Sequence, residues 1–346
     1  MKKVKRSVKI VIAVVLVILL LLTSGVVFYL SKLNLLQFSD GKFRWNGSID
    51  ETDGETLEEA SRMDEAIADL EEKDSVDATG DIYKDKNYFN ILLIGTDERT
   101  ENFSNNARGD SCMIMSIGKK VGSLKLTSLE RGMGVPILDG KYKGKYDWLT
   151  HAFRYGGADL MMREVRECFK VDVERYIRVN LATFKKGIEC VGGIDVTLTA
   201  AEAAYINTNI GRTGYTAGLN HLDGTAALSY ARCRKIDSDW HRIERQRNVI
   251  QAVVAKTKGL SITELNDLIN NVLPLVQTNL TKLEITELLL LAPKYRGVTI
   301  DQMTIPIKGS YGGMRGLGGR SLFSVDFDTN AKALREFIYG VTDSSN

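Results

Sequence analysis

The chain contains 346 residues, of which 44% are hydrophobic and 26% are charged, and its formal net charge at pH 7 is +2. A charge so close to neutrality provides no global basic field, so we expect no nucleic-acid partner. The length suffices for an N-terminal anchor followed by one large domain or two small ones.

The N-terminus combines a basic tail with a long apolar run. Residues 1–9 carry five basic side chains, and residues 10–30 are almost wholly apolar, about the twenty residues that a helix needs to cross a bilayer. Because basic tails stay in the cytoplasm, we predict a single-pass protein of the cell membrane with an extracytoplasmic C-terminal domain. A cleaved signal peptide is the alternative, although no A-x-A cleavage site follows the run.

Residues 31–87 are rich in acidic side chains and poor in large apolar ones. We interpret them as an extracytoplasmic stalk that is helical in part. A segment that binds a partner is the alternative. The catalytic domain is then predicted to span residues 88–346.

Apolar runs and helical spacings alternate along this domain. The predicted strands cover residues 89–95, 111–117, 123–130, 176–179, 194–198, 298–307 and 321–327. The predicted helices cover residues 158–169, 181–190, 200–206, 223–228, 242–258, 265–272, 283–292 and 330–339. We therefore predict an α/β fold, in which helices flank both faces of a mixed central sheet, preceded by the transmembrane helix. Residues 309–320 are glycine-rich and are predicted to form a flexible loop.

Several chemistries lack their residue patterns here. The four cysteines form no C-x-x-C pair, which excludes zinc ribbons and thioredoxin-type redox chemistry. We interpret them as small buried thiols, with extracytoplasmic disulfides as the alternative. The histidines have no H-E-x-x-H spacing and the chain has no G-x-S-x-G elbow, so zinc proteases and serine hydrolases are disfavoured.

Arginine and aspartate recur just beyond the ends of predicted strands. Asp97 and Arg99 follow the first strand, Arg108 and Asp110 precede the second, and Arg131 follows the third. A second group precedes or begins the long helix predicted near residue 242, and it consists of Arg232, Arg234, Asp239, Arg242, Arg245 and Gln246. If the sheet forms as predicted, the ends of neighbouring strands bring the first group together.

Such a cluster suits a diphosphate bound together with a divalent cation. A helix N-terminus favours an anion, and a guanidinium group binds two phosphate oxygens at once. Two nearby carboxylates can hold a Mg²⁺ ion that phosphate oxygens bridge, so that metal and arginines together offset the charge of a leaving phosphate. For each residue taken alone, an ordinary surface ion pair is the alternative interpretation.

The same residues lie in an ordered set of motifs. Residues 95–99 (GTDER), 108–110 (RGD) and 128–132 (SLERG) come first, and they are followed by 150–157, 179–194, 218–234 and 239–246. This order resembles the LytR–CpsA–Psr family of cell-wall glycopolymer transferases. Residues 218–234 and 239–246 match the last motif of that family, G-x-x-x-L-x-G-x-x-A-L-x-Y-x-R-x-R followed by D-x-x-R-x-x-R-Q. The resemblance covers roughly residues 88–260. Each early motif is weak alone, but the ordered set is specific.

The resemblance implies a role for each matched residue. Asp97 and Asp110 would hold Mg²⁺, and Asp239 would orient an arginine or assist proton transfer, which makes Arg131, Asp239 and Asp110 the candidate catalytic residues. The family's pyrophosphate ligands correspond to Arg99, Arg108, Arg131, Arg232, Arg234, Arg242, Arg245 and Gln246. The donor would be a polyprenyl-pyrophosphate-linked glycan with its lipid in an apolar tunnel, and the acceptor would be peptidoglycan.

The chain departs from the family pattern at three positions: Glu130 replaces proline, Gly132 replaces aspartate and Thr150 replaces asparagine. The resemblance predicts a membrane-anchored, Mg²⁺-dependent phosphotransferase that attaches a glycopolymer to peptidoglycan. Two alternatives remain open. A pyrophosphatase would use water in place of the acceptor hydroxyl, and a catalytically impaired regulator would bind lipid or wall without turnover.

Overall fold

The computed structural model describes residues 33–43, 54–104, 107–257, 260, 262–295 and 297–341. The predicted basic tail and transmembrane helix, residues 1–30, lie outside these ranges. Within the described ranges, no helix combines the length and the apolar character that crossing a membrane requires. The anchor therefore stays a prediction from the sequence.

Seven strands of the described chain form one mixed sheet. The described chain contains these seven strands and six others, numbered in chain order: β1 (Gln37–Phe38), β2 (Tyr88–Thr96), β3 (Ser111–Gly118), β4 (Ser123–Leu129), β5 (Gly134–Pro136), β6 (Tyr146–Trp148), β7 (Arg175–Asn180), β8 (Ile194–Leu198), β9 (Gly218–Leu222), β10 (Gln277–Thr278), β11 (Ile300–Ile305), β12 (Tyr311–Arg315) and β13 (Ser321–Val325). The main sheet has the order β1-β10-β7-β2-β3-β4-β11, and β5–β6, β8–β9 and β12–β13 form separate pairs.

The central strands explain why the sheet is mixed. β2, β3 and β4 follow one another as an antiparallel meander. β7 and β11 each arrive after helical segments and pair in parallel with β2 and β4 respectively. This agrees with the rule that parallel neighbours need a long crossover connection, whereas antiparallel neighbours need only a turn.

Helices occupy most of the remaining described chain. They are α1 (Gly54–Ile67), α2 (Leu149–Phe169), α3 (Leu181–Cys190), α4 (Ala200–Ile210), α5 (Gly224–Ala231), α6 (Asp239–Thr257), α7 (Ile262–Val272), α8 (Lys282–Leu291) and α9 (Phe327–Tyr339). Capping boxes at Asn180, Thr199 and Thr281 fix where α3, α4 and α8 begin, because each side chain accepts the N–H of the third helical residue. The sequence-based assignment of α4 just after Thr199 is thus confirmed.

Helices cover both faces of the main sheet. On one face, Leu92 and Ile114 of the sheet pack with Phe169 of α2 and Leu334 of α9. On the other face, Met113 and Leu126 pack with Ile250 and other apolar side chains of α6. The prediction of a mixed sheet flanked by helices on both faces is confirmed. Burial on both faces also accounts for the nearly continuous apolar sequence of β2.

Parts of the acidic stretch predicted as a stalk pack on the domain. β1 pairs with β10 at the edge of the main sheet. α1 buries Met63 and Ile67 against Leu322 and Phe323 of β13. These two side chains of α1 are four residues apart, so they share one helical face in a segment whose composition is dominated by acidic groups.

The glycine-rich segment differs from its prediction. Residues 311–315 form β12 and pair with β13, so the prediction of a flexible loop over 309–320 is wrong for these residues. A Cβ atom at Gly312 would lie 2.6 Å from the carbonyl oxygen of Glu71. The glycine therefore permits a close approach between β12 and the chain that follows α1, which is a packing role rather than flexibility.

The four cysteines are free thiols. Cys112, Cys168 and Cys233 are buried, which confirms the interpretation of small buried thiols for these three, and Cys190 is half-buried. Burial raises the pKa of the Cys112 thiol, which keeps it protonated and unreactive.

Candidate active site

The candidate site forms at one edge of the main sheet. Because β3 runs antiparallel to both of its neighbours, the end of β2, the start of β3 and the end of β4 meet at this edge. Asp97, Asp110 and Arg131 extend from these three strand ends, as the sequence predicts. The N-terminus of α6 adds Asp239 and Arg242 to the same place, since both contact residues of the strand ends.

Asp239 lies at the centre of a network of arginines. Its Oδ2 accepts a hydrogen bond from Arg242 Nη2 at 2.7 Å and another from Arg131 Nε at 3.4 Å. Its Oδ1 lies 3.6 Å from Arg234 Nε. Arg131 also reaches Asp110, with 3.7 Å between Nη1 and Oδ1. One aspartate therefore orients three guanidinium groups, and Arg131 links it to the second carboxylate.

The charges in this network shift one another's pKa values. Burial acts to raise the pKa of Asp239, but Arg242 and then Arg131 outweigh burial and hold it well below its usual range. Burial lowers the pKa of Arg242 to about 10, so this arginine stays cationic at neutral pH. A carboxylate with such a low pKa is a weak base. Together with its contacts to three arginines, this low pKa suits Asp239 to the orienting role.

Asp97 and Asp110 form a pair of neighbouring carboxylates. Arg108, which is 1% exposed, donates its backbone N–H and its Nε to Asp97 at 3.0 and 3.1 Å. Thr150 Oγ1, at the position of the family's asparagine, lies 3.5 Å from Asp110 Oδ1. Burial, and next the charge of Asp110, raises the pKa of Asp97. Two carboxylates that repel in this way suit a divalent cation, which would offset both charges.

This donor set fits Mg²⁺ rather than a closed metal cage. Within the described ranges, no group of three or more His, Cys, Asp or Glu side chains is placed to hold a metal. Mg²⁺ usually takes one or two protein carboxylates and completes its shell with phosphate oxygens and water. Asp97 and Asp110 satisfy that requirement if a phosphate-bearing substrate supplies the other ligands.

Glu130 is a member of the site that the sequence motifs did not assign. Its side chain is fully buried, Oε1 accepts the Gly132 N–H at 3.2 Å, and a side-chain hydrogen bond links Glu130 to Asp239. Burial, together with the charge of Asp239, raises its pKa to about 8. The raised pKa favours the neutral carboxylic acid form of Glu130 next to the arginine network. The sequence feature that could have indicated Glu130 as a site residue is its position in the third motif, directly before Arg131.

The space above Gly132 is filled from α1. A Cβ atom at Gly132 would lie only 2.0 Å from Met63 Cε and 3.5 Å from Glu130 Oε1. Met63 therefore occupies the volume that the family's aspartate would need. The carboxyl group of Glu130 lies beside the same volume, so an acid is retained near this point by a different residue.

An apolar cavity of about 290 Å³ opens beside the arginines. It lies between the face of β2, β3 and β7 and the helices α3, α5 and α6. Its apolar wall includes Leu93, Met113, Val179, Phe184, Val249 and Ile250. Asp110, Arg232, Arg234 and Arg242 line it as well, so one cavity joins a hydrocarbon-like wall to cationic groups.

The other predicted ligands take different positions. Gln246 lines the cavity and accepts a hydrogen bond from Ser111 Oγ at 3.0 Å. Arg232 is exposed and lines the cavity. Arg245 is buried and binds Glu202 at 2.7 Å and Asp237 at 3.0 Å, so its guanidinium supports the helix start rather than facing the cavity. Arg99 is exposed, and none of the described ion pairs joins it to the Asp239 network.

Arg178 supports the loop that carries Asp97. This buried arginine of β7 donates Nε to Thr96 at 3.1 Å and forms an ion pair with Glu98. Its guanidinium also lies between the rings of Phe103 and Phe153, at 4.9 and 4.6 Å. The alternation of buried residues along β7 places Arg178 on the same face as Tyr176. From the sequence, the strand predicted over residues 176–179 could place Arg178 on the face of Tyr176, but not indicate its burial.

The chain is similar in sequence to known proteins. The LytR_cpsA_psr family model matches residues 52–336. The polyisoprenyl-teichoic acid–peptidoglycan teichoic acid transferase TagU of Bacillus mycoides is 35% identical over 199 residues, which cover 56% of this chain and 60% of TagU. The enzyme of the same name from Oceanobacillus iheyensis is 34% identical over 237 residues, which cover 66% of this chain and 69% of the relative.

The fold is also similar to a solved structure. That structure is described as TagT bound to LIIa-WTA, and it superimposes with a TM-score of 0.59 at 26% identity. The superposition covers 74% of this chain and 92% of TagT. The similarity therefore extends over about three quarters of this chain.

Proposed function

Because its residues 52–336 match the family model, the chain belongs to the LytR_cpsA_psr family, and we propose that it is a membrane-anchored phosphotransferase. Its donor would be a polyprenyl-pyrophosphate-linked glycopolymer, and its acceptor would be a hydroxyl group of peptidoglycan. The names of the TagU relatives support these substrate classes.

The observation that carries the proposal is the junction of the apolar cavity and the arginines. A polyprenyl pyrophosphate is a hydrocarbon chain joined to a strongly anionic head. The cavity offers an apolar wall for the chain, and Arg232, Arg234 and Arg242 line the same cavity for the head. Burial of hydrocarbon and bidentate binding of phosphate by guanidinium supply the two kinds of affinity that this ligand needs.

In the proposed reaction, the acceptor oxygen attacks the phosphorus that bears the glycan. A new P–O bond forms to the acceptor, and the P–O bond to the polyprenyl phosphate breaks. Polyprenyl phosphate leaves with the bonding electron pair, and the hydroxyl proton passes to a carboxylate or water at the site. Arg131 and Arg242, which Asp239 contacts, would stabilise the charge that develops on the phosphate oxygens.

Mg²⁺ belongs to the proposal as the group that Asp97 and Asp110 would hold. When bound, a divalent cation neutralises phosphate charge and helps to orient the pyrophosphate. Burial first, and then the charge of Asp110, raises the pKa of Asp97, and a cation bound by both carboxylates would offset this charge. Arg108 fixes the orientation of Asp97 through two hydrogen bonds.

The test is turnover of a synthetic polyprenyl-pyrophosphate-linked sugar by the full chain in detergent micelles. We expect Mg²⁺-dependent release of polyprenyl phosphate, with the sugar phosphate joined to an added peptidoglycan fragment. Release that does not depend on the acceptor would identify a pyrophosphatase. Tight lipid binding without any release would contradict an enzymatic function and favour the regulator.

A further inference from the structure

A polar cleft of about 410 Å³ lies next to the apolar cavity. Its charged lining consists of five basic side chains and one acidic side chain, namely Arg62, Lys185, Arg232, Arg234, Lys235 and Glu58. Its volume falls within the range of small-molecule binding sites. Arg62 pairs with Glu58 at 2.6 Å, and the remaining charged side chains of the lining are all basic, so the cleft favours an anionic ligand.

The cleft and the apolar cavity share one wall. Leu228, Arg232 and Arg234 line both spaces, so the two arginines stand between a hydrocarbon-like cavity and a polar one. A ligand whose phosphate groups lie at these arginines and whose lipid fills the cavity would direct its next chemical group towards the cleft. The order of the spaces therefore matches the order lipid, pyrophosphate, glycan.

Neutral polar groups complete the lining. Tyr205, Asn209 and Ser229 face the cleft, and Asn209 Nδ2 donates to Ser229 Oγ at 2.9 Å. Hydroxyl and amide groups can exchange hydrogen bonds with the hydroxyls of a sugar or polyol. The lining thus combines sites for hydroxyl groups with sites for negative charge.

α1 provides the far wall of the cleft through Glu58 and Arg62. The helix is held in place because Met63 and Ile67 are buried against β13 and Asp64 Oδ1 accepts a hydrogen bond from Arg315 at 2.9 Å. Arg62 therefore projects from a helix that is packed on the domain. The acidic segment that resembles a solvated stalk in composition supplies part of a binding surface.

We propose that this cleft binds an anionic glycan segment, a chain of sugar or polyol units that carries phosphate or carboxylate groups, next to the reacting pyrophosphate. This inference rests on the proposed function. The donor glycan and the acceptor glycan both meet at the reacting phosphorus, so either could supply the segment. The shared chemistry is negative charge on a hydroxyl-rich chain.

The test compares the double variant Lys185→Ala/Lys235→Ala with Lys186→Ala. Lys186 is the matched control because it is exposed, follows Lys185 on α3 and pairs with Glu101 at 2.6 Å, outside the cleft. Donors with the same lipid would carry either a phosphate-bearing or a neutral oligosaccharide. We expect the double variant to raise KM for the anionic donor by about tenfold, the sum of two exposed charge contacts, and to leave the neutral donor within about twofold of wild type.

A second arm keeps the neutral donor and compares acceptors with free and amidated carboxylates. A selective loss in this arm assigns the cleft to the acceptor, and a selective loss in the first arm assigns it to the donor. Equal effects on charged and neutral substrates, or no effect in either arm, would overturn the proposal.

The experiments distinguish a wrong assignment of the cleft from a wrong proposed function. If wild type transfers no donor, the proposed function fails. The cleft is then tested directly by calorimetric titration of wild type and the double variant with a phosphate-bearing oligosaccharide that has no lipid. Binding that weakens about tenfold in the double variant alone supports the cleft, and equal or absent binding contradicts it.

Discussion

Arg131 contacts two carboxylates of the candidate site, because it reaches Asp110 at 3.7 Å and Asp239 at 3.4 Å. For Arg131→Ala we expect kcat to fall by about 100- to 1,000-fold, since a preorganised cation at the developing phosphate charge is removed. Asp110→Ala should act in the same direction. The measurement is steady-state turnover of the synthetic donor, with circular dichroism to verify folding.

The matched control for Arg131 is Arg163→Ala. Arg163 is an arginine of α2 that pairs with Asp159 at 3.0 Å on the surface. Its removal should leave kcat within about twofold, because exposed ion pairs contribute little. Full activity of both the Arg131 and the Asp110 variant would show that the site has been misplaced.

Glu130 makes the stability of the protein depend on pH. Its pKa is raised from 4.5 to about 8, first by burial and then by Asp239, while Arg242 and Arg131 face it as opposing cations. Between these values the unfolded chain has lost the Glu130 proton and the folded chain still holds it. The folded state binds more protons there, so this group makes the free energy of unfolding fall as pH rises from about 4.5 to about 8.

Glu130→Gln should remove this dependence, because the amide keeps the shape of the neutral acid without its proton. We expect the free energy of unfolding of the variant, relative to wild type, to increase by on the order of a few kcal/mol between pH 5 and pH 8. Urea denaturation at the two pH values measures it. Asp239 titrates in a lower window, since its pKa is depressed, and does not interfere. An unchanged difference would rule out a buried neutral Glu130.

At the scale of elements, α1 and the end of β4 are coupled through Met63 and Gly132. Gly132→Asp would restore the family's acid, but its Cβ would meet Met63 Cε at 2.0 Å. Overpacking of this kind costs roughly 1–3 kcal/mol. We expect Gly132→Asp to lower the melting temperature, and a second change, Met63→Ala, to relieve the clash.

A double-mutant cycle isolates this coupling. Met63→Ala alone also destabilises the fold, because Met63 is 7% exposed and packs in the cluster under α1. The two changes together should be less destabilising than the sum of the single changes, with a coupling energy of about 0.5–3 kcal/mol. Simple additivity would mean that α1 does not occupy the space above Gly132.

β7 forms part of the wall of the apolar cavity, and Val179→Phe places a ring in that space. In a cavity of about 290 Å³ the ring would compete with a lipid chain. We expect KM for a long polyprenyl donor to rise roughly tenfold or more, with little change for a short-chain, water-soluble donor. The control is Leu219→Phe on β9, where the side chain is 75% exposed. An equal rise in KM for both donors would show that the cavity does not bind the lipid chain.

At the scale of the whole molecule, the anchor remains the prediction to test. Deletion of residues 1–32 should transfer the protein from the membrane pellet to the soluble fraction. Turnover of a short-chain donor should stay within about threefold of wild type, which corresponds to less than about 1 kcal/mol. The reason is that the described site contains no residue of the deleted segment. In intact cells, added protease should cleave the C-terminal domain of the full chain. Retention of the deletion variant in the membrane would contradict a single N-terminal anchor.

Much of the candidate site follows from local sequence. Asp97, Asp110 and Arg131 each lie at the end of an apolar run, and consecutive strands that form a meander must bring such ends to one edge. Asp239 and Arg242 are three residues apart at a helix start, so they share a face. The position of Arg245 did not follow, because its partner Glu202 comes from α4, which no local pattern links to α6.

The amino-acid sequence by itself determined the alternation of strands and helices, the mixed sheet and the charged groups at its edge, because apolar periodicity, caps and strand ends are local properties. Only the tertiary structure decided that Met63 fills the space above Gly132, that Glu130 is buried with a raised pKa, and that an apolar cavity and a basic cleft meet at Arg232 and Arg234. The reason is physical: an apolar side chain that lines a cavity and one that fills a core follow the same sequence pattern, and a pKa depends on neighbours that only folding brings together.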